Sequence, residues 1–215
     1  PDHWLFVSLS GMKNPTHTIR AITAALGLSF LAFSAAAADA WAELTQPGTI
    51  VLFRHATAPG IGDPANFKLD ACATQRNLDD KGRAEARRLG EQFRSRKIEI
   101  GAVVTSQWCR TRETARLAFG EVVKDEPAFN STFTASGAVT DAQTAQARAL
   151  LSRWRGPGTL VVVSHQVNIT ALTGVYPASA QGGGAAAGGG WQPEGGGDHP
   201  ALRDPGRMAL RVLLF

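Results

Sequence analysis

The stretch VLFRHATAPG, residues 51–60, decides how the chain reads, because an apolar run ends there abruptly in Arg54 and His55. Ile50, Val51, Leu52 and Phe53 follow Gly48 and read as a buried strand, and Pro59-Gly60 closes the loop behind it. An arginine and a histidine therefore stand at the carboxyl end of a strand. In open α/β sheets that edge lines the crevice where ligands bind. The arrangement recurs twice. GAVVTSQWCR (101–110) is an apolar run ending in Thr105 and Ser106 with Arg110 just beyond, and TLVVVSH (159–165) ends in Ser164 and His165.

Between these strands the chain carries helical signals. Asp79 or Asp80 caps a helix through DDKGRAEARRLGEQFRSRK, with Ala86, Leu89 and Phe93 as its buried stripe and its arginines facing water. A second helix is expected from Ser106 to Phe119. A third is expected from the capping box Thr140-Asp141-Ala142-Gln143 through Leu150, Leu151 and Trp154, and a short fourth over Val167, Ile169 and Leu172. The loop GIGDPANFKLDACATQRNL (60–78) is long enough to bind substrate, and Arg76 or Lys68 within it could reach a ligand, although a solvated loop charge is the preferred reading of each. On a helical wheel Arg112 and Glu113 diverge from Arg110.

The chain has 215 residues, 44% hydrophobic and 19% charged, which suits one globular domain. Its ends read differently. Residues 1–11 precede Met12 and look like upstream sequence. Residues 12–40 combine a basic start, the apolar AITAALGLSFLAFSAAA and the small residues around Ala38-Asp39-Ala40, the signature of a secretory signal cut after Ala40 and hence of a periplasmic protein. The apolar run is too short and alanine-rich for a stable membrane span. Residues 41–180 form the domain. Residues 181–215 are a Gly-rich tail, with 10 of the 23 glycines between 182 and 206, that should bury almost nothing. Since a sheet ending at residues 54, 105 and 165 still needs a covering strand, this tail is compatible with a shifted reading frame. The net charge of +4 survives signal removal, because two Lys/Arg and two Asp/Glu leave together. No basic run interleaved with aromatics marks a nucleic-acid surface. Cys72 and Cys109, the chain's two cysteines, are routed to an oxidising compartment, where they are either bonded or two separate thiols.

Arg54-His55 after a first strand, Ser106 with Arg110 four residues on, and a late strand ending in His165 together resemble the histidine phosphatase superfamily (phosphoglycerate-mutase-like, branch 1) over roughly residues 48–176. Ala56 departs from the glycine that usually follows the histidine there. The resemblance implies a three-layer α/β/α sandwich with a mostly parallel central sheet, and a metal-independent phosphatase without cofactor acting on a small phosphorylated substrate. His55 would be the nucleophile, its second ring nitrogen held by a backbone carbonyl. Arg54 and Arg110 would grip the phosphoryl oxygens with paired hydrogen bonds, His165 would stabilise the transition state, and Ser106 and Asn168 would assist binding. In relatives a carboxylate often protonates the leaving group. Glu121, Asp125, Glu126 and Asp141 are candidates among which no local motif chooses. Two alternatives stand beside this reading, a phospho-ligand-binding module without turnover and a phosphohistidine phosphatase. No GxSxG elbow supports a serine hydrolase, and no HxH or HExxH spacing implies a metal.

Overall fold

The structure, a computed structural model, describes residues 41–174 and 176–177 and the backbone of 212–214. Its strands are β1 (Ile50–Arg54), β2 (Ile100–Thr105), β3 (Lys124–Asp125), β4 (Thr159–Ser164) and β5 (Val212–Leu214). Its helices are α1 (Asp80–Ser95), α2 (Cys109–Phe119), α3 (Gly137–Leu151) and α4 (Gln166–Thr173). The strands form one sheet in the order β3-β2-β4-β1-β5, parallel throughout.

β1 and β4 are apolar at successive residues because both of their faces are covered. Val51, Phe53, Val161 and Val163 pack with Leu89 and Phe93 of α1 and Ala115 and Ala118 of α2. Ile50, Leu52, Leu160 and Val162 pack with Ala147 and Leu151 of α3 and Ile169 and Leu172 of α4. Two helices on each face make the three layers. Each fully buried Leu, Ile or Phe contributes roughly 1.5–3 kcal/mol of hydrophobic stabilisation. Phe93 is the hinge of the first core, edge-on to Trp41, Phe53 and Phe119 at 5.7, 5.9 and 5.1 Å between ring centroids.

Helix α1 starts where its cap predicts, with the Asp79 carboxylate accepting from Gly82 N at 2.7 Å. A Cβ on Gly82 would lie 2.0 Å from the Thr57 carbonyl oxygen, so glycine lets the start of α1 press against the loop after β1. Two expected helix starts move. Helix α2 begins at Cys109, because the Ser106 hydroxyl accepts from Trp108 N at 3.2 Å and is spent in a turn. Helix α3 begins at Gly137, before the expected capping box. Gln143, which that box needs, donates instead to the carbonyls of Ala128 and Asn130.

Residues 1–40, with the expected signal, and 178–211, with the Gly-rich stretch, lie outside the described residues. The end of the tail is described, and it differs from a segment without structure. Val212–Leu214 pair in parallel with Ile50–Leu52 and cover the edge of β1. The apolar Val-Leu-Leu ending was masked by the glycine content upstream of it.

Candidate active site

The two histidines meet because of strand register. β1 and β4 are neighbours paired Arg54↔Ser164, so the next residue of each strand steps off the sheet at the same level. His55 N still donates to Ser164 O at 3.0 Å, and the His55 and His165 ring centroids lie 5.5 Å apart. β2 pairs with β4 on the other side, Thr105↔Val163, which brings the Ser106 hydroxyl 2.8 Å from His165 Nε2.

His55 Nδ1 lies 2.8 Å from the Ala56 carbonyl oxygen. A carbonyl only accepts, so the proton is on Nδ1 and the neutral ring keeps a lone pair on Nε2. Burial, then Arg110, Arg76 and Arg54, push the His55 pKa down to about 3 despite the favourable bond to Ala56. Burial first, then His55 and the same arginines, hold His165 well below the ordinary histidine range. Both rings are therefore neutral at physiological pH. Ala56 stands where a glycine was expected, and the site accommodates it: its N–H donates to Thr114 Oγ1 at 3.1 Å and its side chain is buried with Ala58, Leu78 and Ala86.

The arginines differ from one another. Arg54 is half-buried, desolvation lowers its pKa, and no carboxylate pairs with it among the described residues. Arg110 is buried, but its fork is already engaged: Nη1 and Nη2 donate to the two carboxylate oxygens of Asp63 at 2.8 and 3.1 Å. The paired donors expected to face a phosphoryl group thus face Asp63, and Arg110 Nε is buried without a partner among the described residues. Arg76, expected to be a solvated loop charge, is corrected by the structure. It turns inward, donates from Nε to Gly62 O at 2.8 Å and from Nη1 to Ala58 O, and lowers the pKa of both histidines. Lys68 is exposed as expected.

Asp63 binds more than Arg110. Its Oδ1 also accepts from Arg76 N at 3.0 Å, and its Oδ2 from Trp108 Nε1 at 2.9 Å. Desolvation raises its pKa, but the bonds from Arg110, Arg76 N and Trp108 outweigh this and the carboxyl stays below its ordinary range. Trp108 forms a wall, edge-on to His165 at 5.4 Å and tilted on Phe67 at 5.6 Å. Asn168 belongs to an adjoining network: its Nδ2 donates to Asn130 O at 2.7 Å and its Oδ1 is buried without a partner among the described residues. Of the candidate acids, Asp125 is taken by the fork of Arg112 and Glu121 lies 3.6 Å from Arg116. Glu126 accepts from Ala128 N, and Asp141 is exposed on α3. None of the four bonds to a site histidine. Arg112 and Glu113 point away from the pocket, as the helical wheel indicates, Glu113 accepting from Arg83.

The loop that supplies Asp63 and Arg76 is held in place by side chains and by a covalent bond. Cys72 and Cys109 form a disulfide. Gln75 accepts from Cys109 N at 3.0 Å at the start of α2 and donates to the Lys68 and Leu69 carbonyls. Sequence reading missed Asp63, Gln75 and Trp108. Nothing local ranks Asp63 above Asp70, whereas Trp108 next to Cys109-Arg110 was a usable signal.

Residues 50–130 match the family model of the histidine phosphatase superfamily (branch 1). No curated protein sequence matches the chain. Among solved structures, an open reading frame product of Mycobacterium tuberculosis shares 19% identity over 57% of this chain and 77% of that one, with a TM-score of 0.46. Phosphoserine phosphatase from Entamoeba histolytica with 3-phosphoglyceric acid shares 15% over 57% and 77%, with a TM-score of 0.42. A mycobacterial glucosyl-3-phosphoglycerate phosphatase complexed with VO3 shares 20% over 56% and 77%, with a TM-score of 0.40. Residues 50–130, with Arg54 and His55 at the first strand end, are thus similar to the histidine phosphatase superfamily, branch 1.

Proposed function

We propose that the protein is a metal-independent phosphatase that hydrolyses a small phosphomonoester through a phosphohistidine on His55. One observation carries the reading: His55 is pinned through Nδ1 to the Ala56 carbonyl, leaving a neutral ring with an unprotonated Nε2 beside His165 and near Arg54, which pairs with no carboxylate among the described residues. Nε2 attacks phosphorus, the N–P bond forms and the P–O ester bond breaks. Arg54 and His165 stabilise the charge that spreads over the phosphoryl oxygens. Water then attacks the phosphohistidine, the P–N bond breaks, and inorganic phosphate leaves with Nε2 restored.

The leaving oxygen needs a proton, and Asp63 stays ionised and cannot give it. Substrates whose leaving group departs as a stable anion, such as p-nitrophenyl phosphate, should therefore turn over fastest. A rapid-quench experiment with radiolabelled substrate should give acid-labile, alkali-stable label on His55, absent in His55→Ala. A wild-type protein that turns over substrate without such label has another mechanism. A folded wild type that binds phosphate but turns over nothing is the binding module. We place the enzyme in the periplasm on the strength of the export signature at residues 12–40. Amino-terminal sequencing of the mature protein should begin at Trp41.

A further inference from the structure

One wall of the pocket is aromatic. Trp108 is buried, fixed by its Nε1 bond to Asp63 and set edge-on to His165 at 5.4 Å, and Phe67 lies tilted beside it at 5.6 Å. Next to this wall two large apolar side chains are open to solvent, Ile61 at 90% exposed and Phe133 at 55%. They belong to different loops, one after β1 and one before α3, and Gly62 joins them: a Cβ there would lie 3.7 Å from Phe133 Cε1. Gly62 O also accepts from Arg76 Nε, and Asp63 follows it, so the apolar contact adjoins the charged pocket. On the β1 side Tyr176, 68% exposed, is close enough to Arg54 to act on its charge.

A single exposed apolar residue needs no explanation, but a group of them beside one opening marks a contact surface. The phosphoryl oxygens have no use for such a surface. It suits the group to which phosphorus is bonded, and the chemistry of the site narrows what that group is. None of the four candidate acids bonds to a site histidine, and Asp63 is held ionised by its donors, so the leaving oxygen departs without a proton from it. A phenolate departs that way readily, whereas the alkoxide of a sugar or polyol does not. Apolar walls and an unprotonated departure point to the same leaving group.

Resting on the phosphatase reading, we propose that Ile61, Phe67, Trp108 and Phe133 form the leaving-group subsite and that the substrate is an aryl phosphomonoester, its ring packed on these side chains while phosphorus meets His55 Nε2. The N–P bond forms, the P–O bond to the ring oxygen breaks, and the phenolate takes its proton from water after leaving. Ring-on-ring packing and burial of apolar area favour larger aryl groups. Ile61 and Phe133 are then specificity determinants that touch the leaving group and not the phosphoryl oxygens.

The test is turnover of phenyl phosphate and naphthyl phosphate, whose leaving phenols are of similar acidity, so that apolar area differs while the chemical step is matched. Wild type should favour the naphthyl ester about tenfold in kcat/KM and use glycerol phosphate least. The double variant Ile61→Ser with Phe133→Ser, at two exposed positions, should lose the preference for the second ring and keep the wild-type inhibition by inorganic phosphate. Val122→Ser, at an exposed apolar residue on the approach to β3, should change neither. Wild type that turns over the esters but is indifferent to the second ring, or a preference that survives the double variant, overturns the proposal and leaves the phosphatase reading standing. Cosedimentation with anionic vesicles that Phe133→Ser abolishes, without any naphthyl preference, also overturns it and makes the patch a membrane contact. Wild type that hydrolyses none of the esters removes the phosphatase reading, and calorimetry with the inert naphthylmethylphosphonate and benzylphosphonate then decides the subsite. Tighter binding of the naphthyl compound, lost in the double variant, keeps it, and equal binding of the two sinks it.

Discussion

His55 and His165 on one side of the pocket, and Asp63 and Arg76 on the other, are placed by different physics. The histidines follow directly from strand pairing, Arg54↔Ser164, and a core buried on both faces of the sheet enforces that register. The loop of residues 56–78 has one turn of 3-10 helix, Cys72–Thr74, and a small apolar cluster beneath it. Its shape comes from polar bonds to its own carbonyls, from the Asp63–Arg110 pair and from the disulfide. A site built half on a sheet and half on a stapled loop keeps its chemistry rigid while leaving ligand recognition free to vary.

The contrast can be broken at either half, and the sheet half should break hardest. His165→Ala should lower kcat by about two to three orders of magnitude by removing a donor to the developing charge, with the fold retained because the residue stands beyond the last residue of β4. A loss below tenfold in the folded variant would mean that His165 does not face the reacting group.

On the loop half, replacing both cysteines by serine should cost about 4 kcal/mol in the chain-entropy estimate for residues 37 apart in sequence. Urea unfolding measures this, and phosphate affinity should weaken with it, because Cys109 lies between Trp108 and Arg110. If stability falls while phosphate affinity holds, hydrogen bonds alone position the loop.

Acid should separate the halves next. The folded pKa of His55, about 3, lies below its unfolded value near 6.5, so the unfolded chain binds the proton first as pH falls. Stability from this group is fully present above about pH 6.5 and is lost as pH falls toward 3, at up to about 1.4 kcal/mol per pH unit. His165 acts in the same direction. His55→Ala should therefore flatten the fall in urea midpoint between pH 6.5 and 4. An unchanged slope would mean that His55 is charged in the native state.

The smallest effect belongs outside both halves. Asp125→Ala removes a half-exposed pair with Arg112 and should cost less than about 1 kcal/mol, with turnover unchanged. A tenfold drop in kcat would instead identify Asp125 as the leaving-group acid.

How much of this was legible depends on the range of the interaction that decides each feature. Strand β1, the stripe Ala86, Leu89 and Phe93, and the residues ending β2 and β4 are local patterns of apolar residues and their terminators, and they stand where the pattern put them. The helix starts at Cys109 and Gly137 moved because the Ser106 hydroxyl is held in a turn by Trp108 N and beside His165 Nε2, while Gln143 reaches the Ala128 and Asn130 carbonyls. Arg76 was misread because a charge in a Gly- and Pro-rich loop looks solvated until the loop folds inward.

By itself the sequence determined an α/β chain with an Arg-His pair and a second histidine at strand ends, since alternating runs and breaks depend on neighbours in the chain. Tertiary structure alone decided that His55 and His165 lie 5.5 Å apart. It also decided that Arg110 spends its fork on a carboxylate 47 residues away and that Arg76 joins the pocket. Those outcomes depend on which strands become neighbours and on burial that leaves each charge needing a partner, and neither is a property of any short stretch of chain.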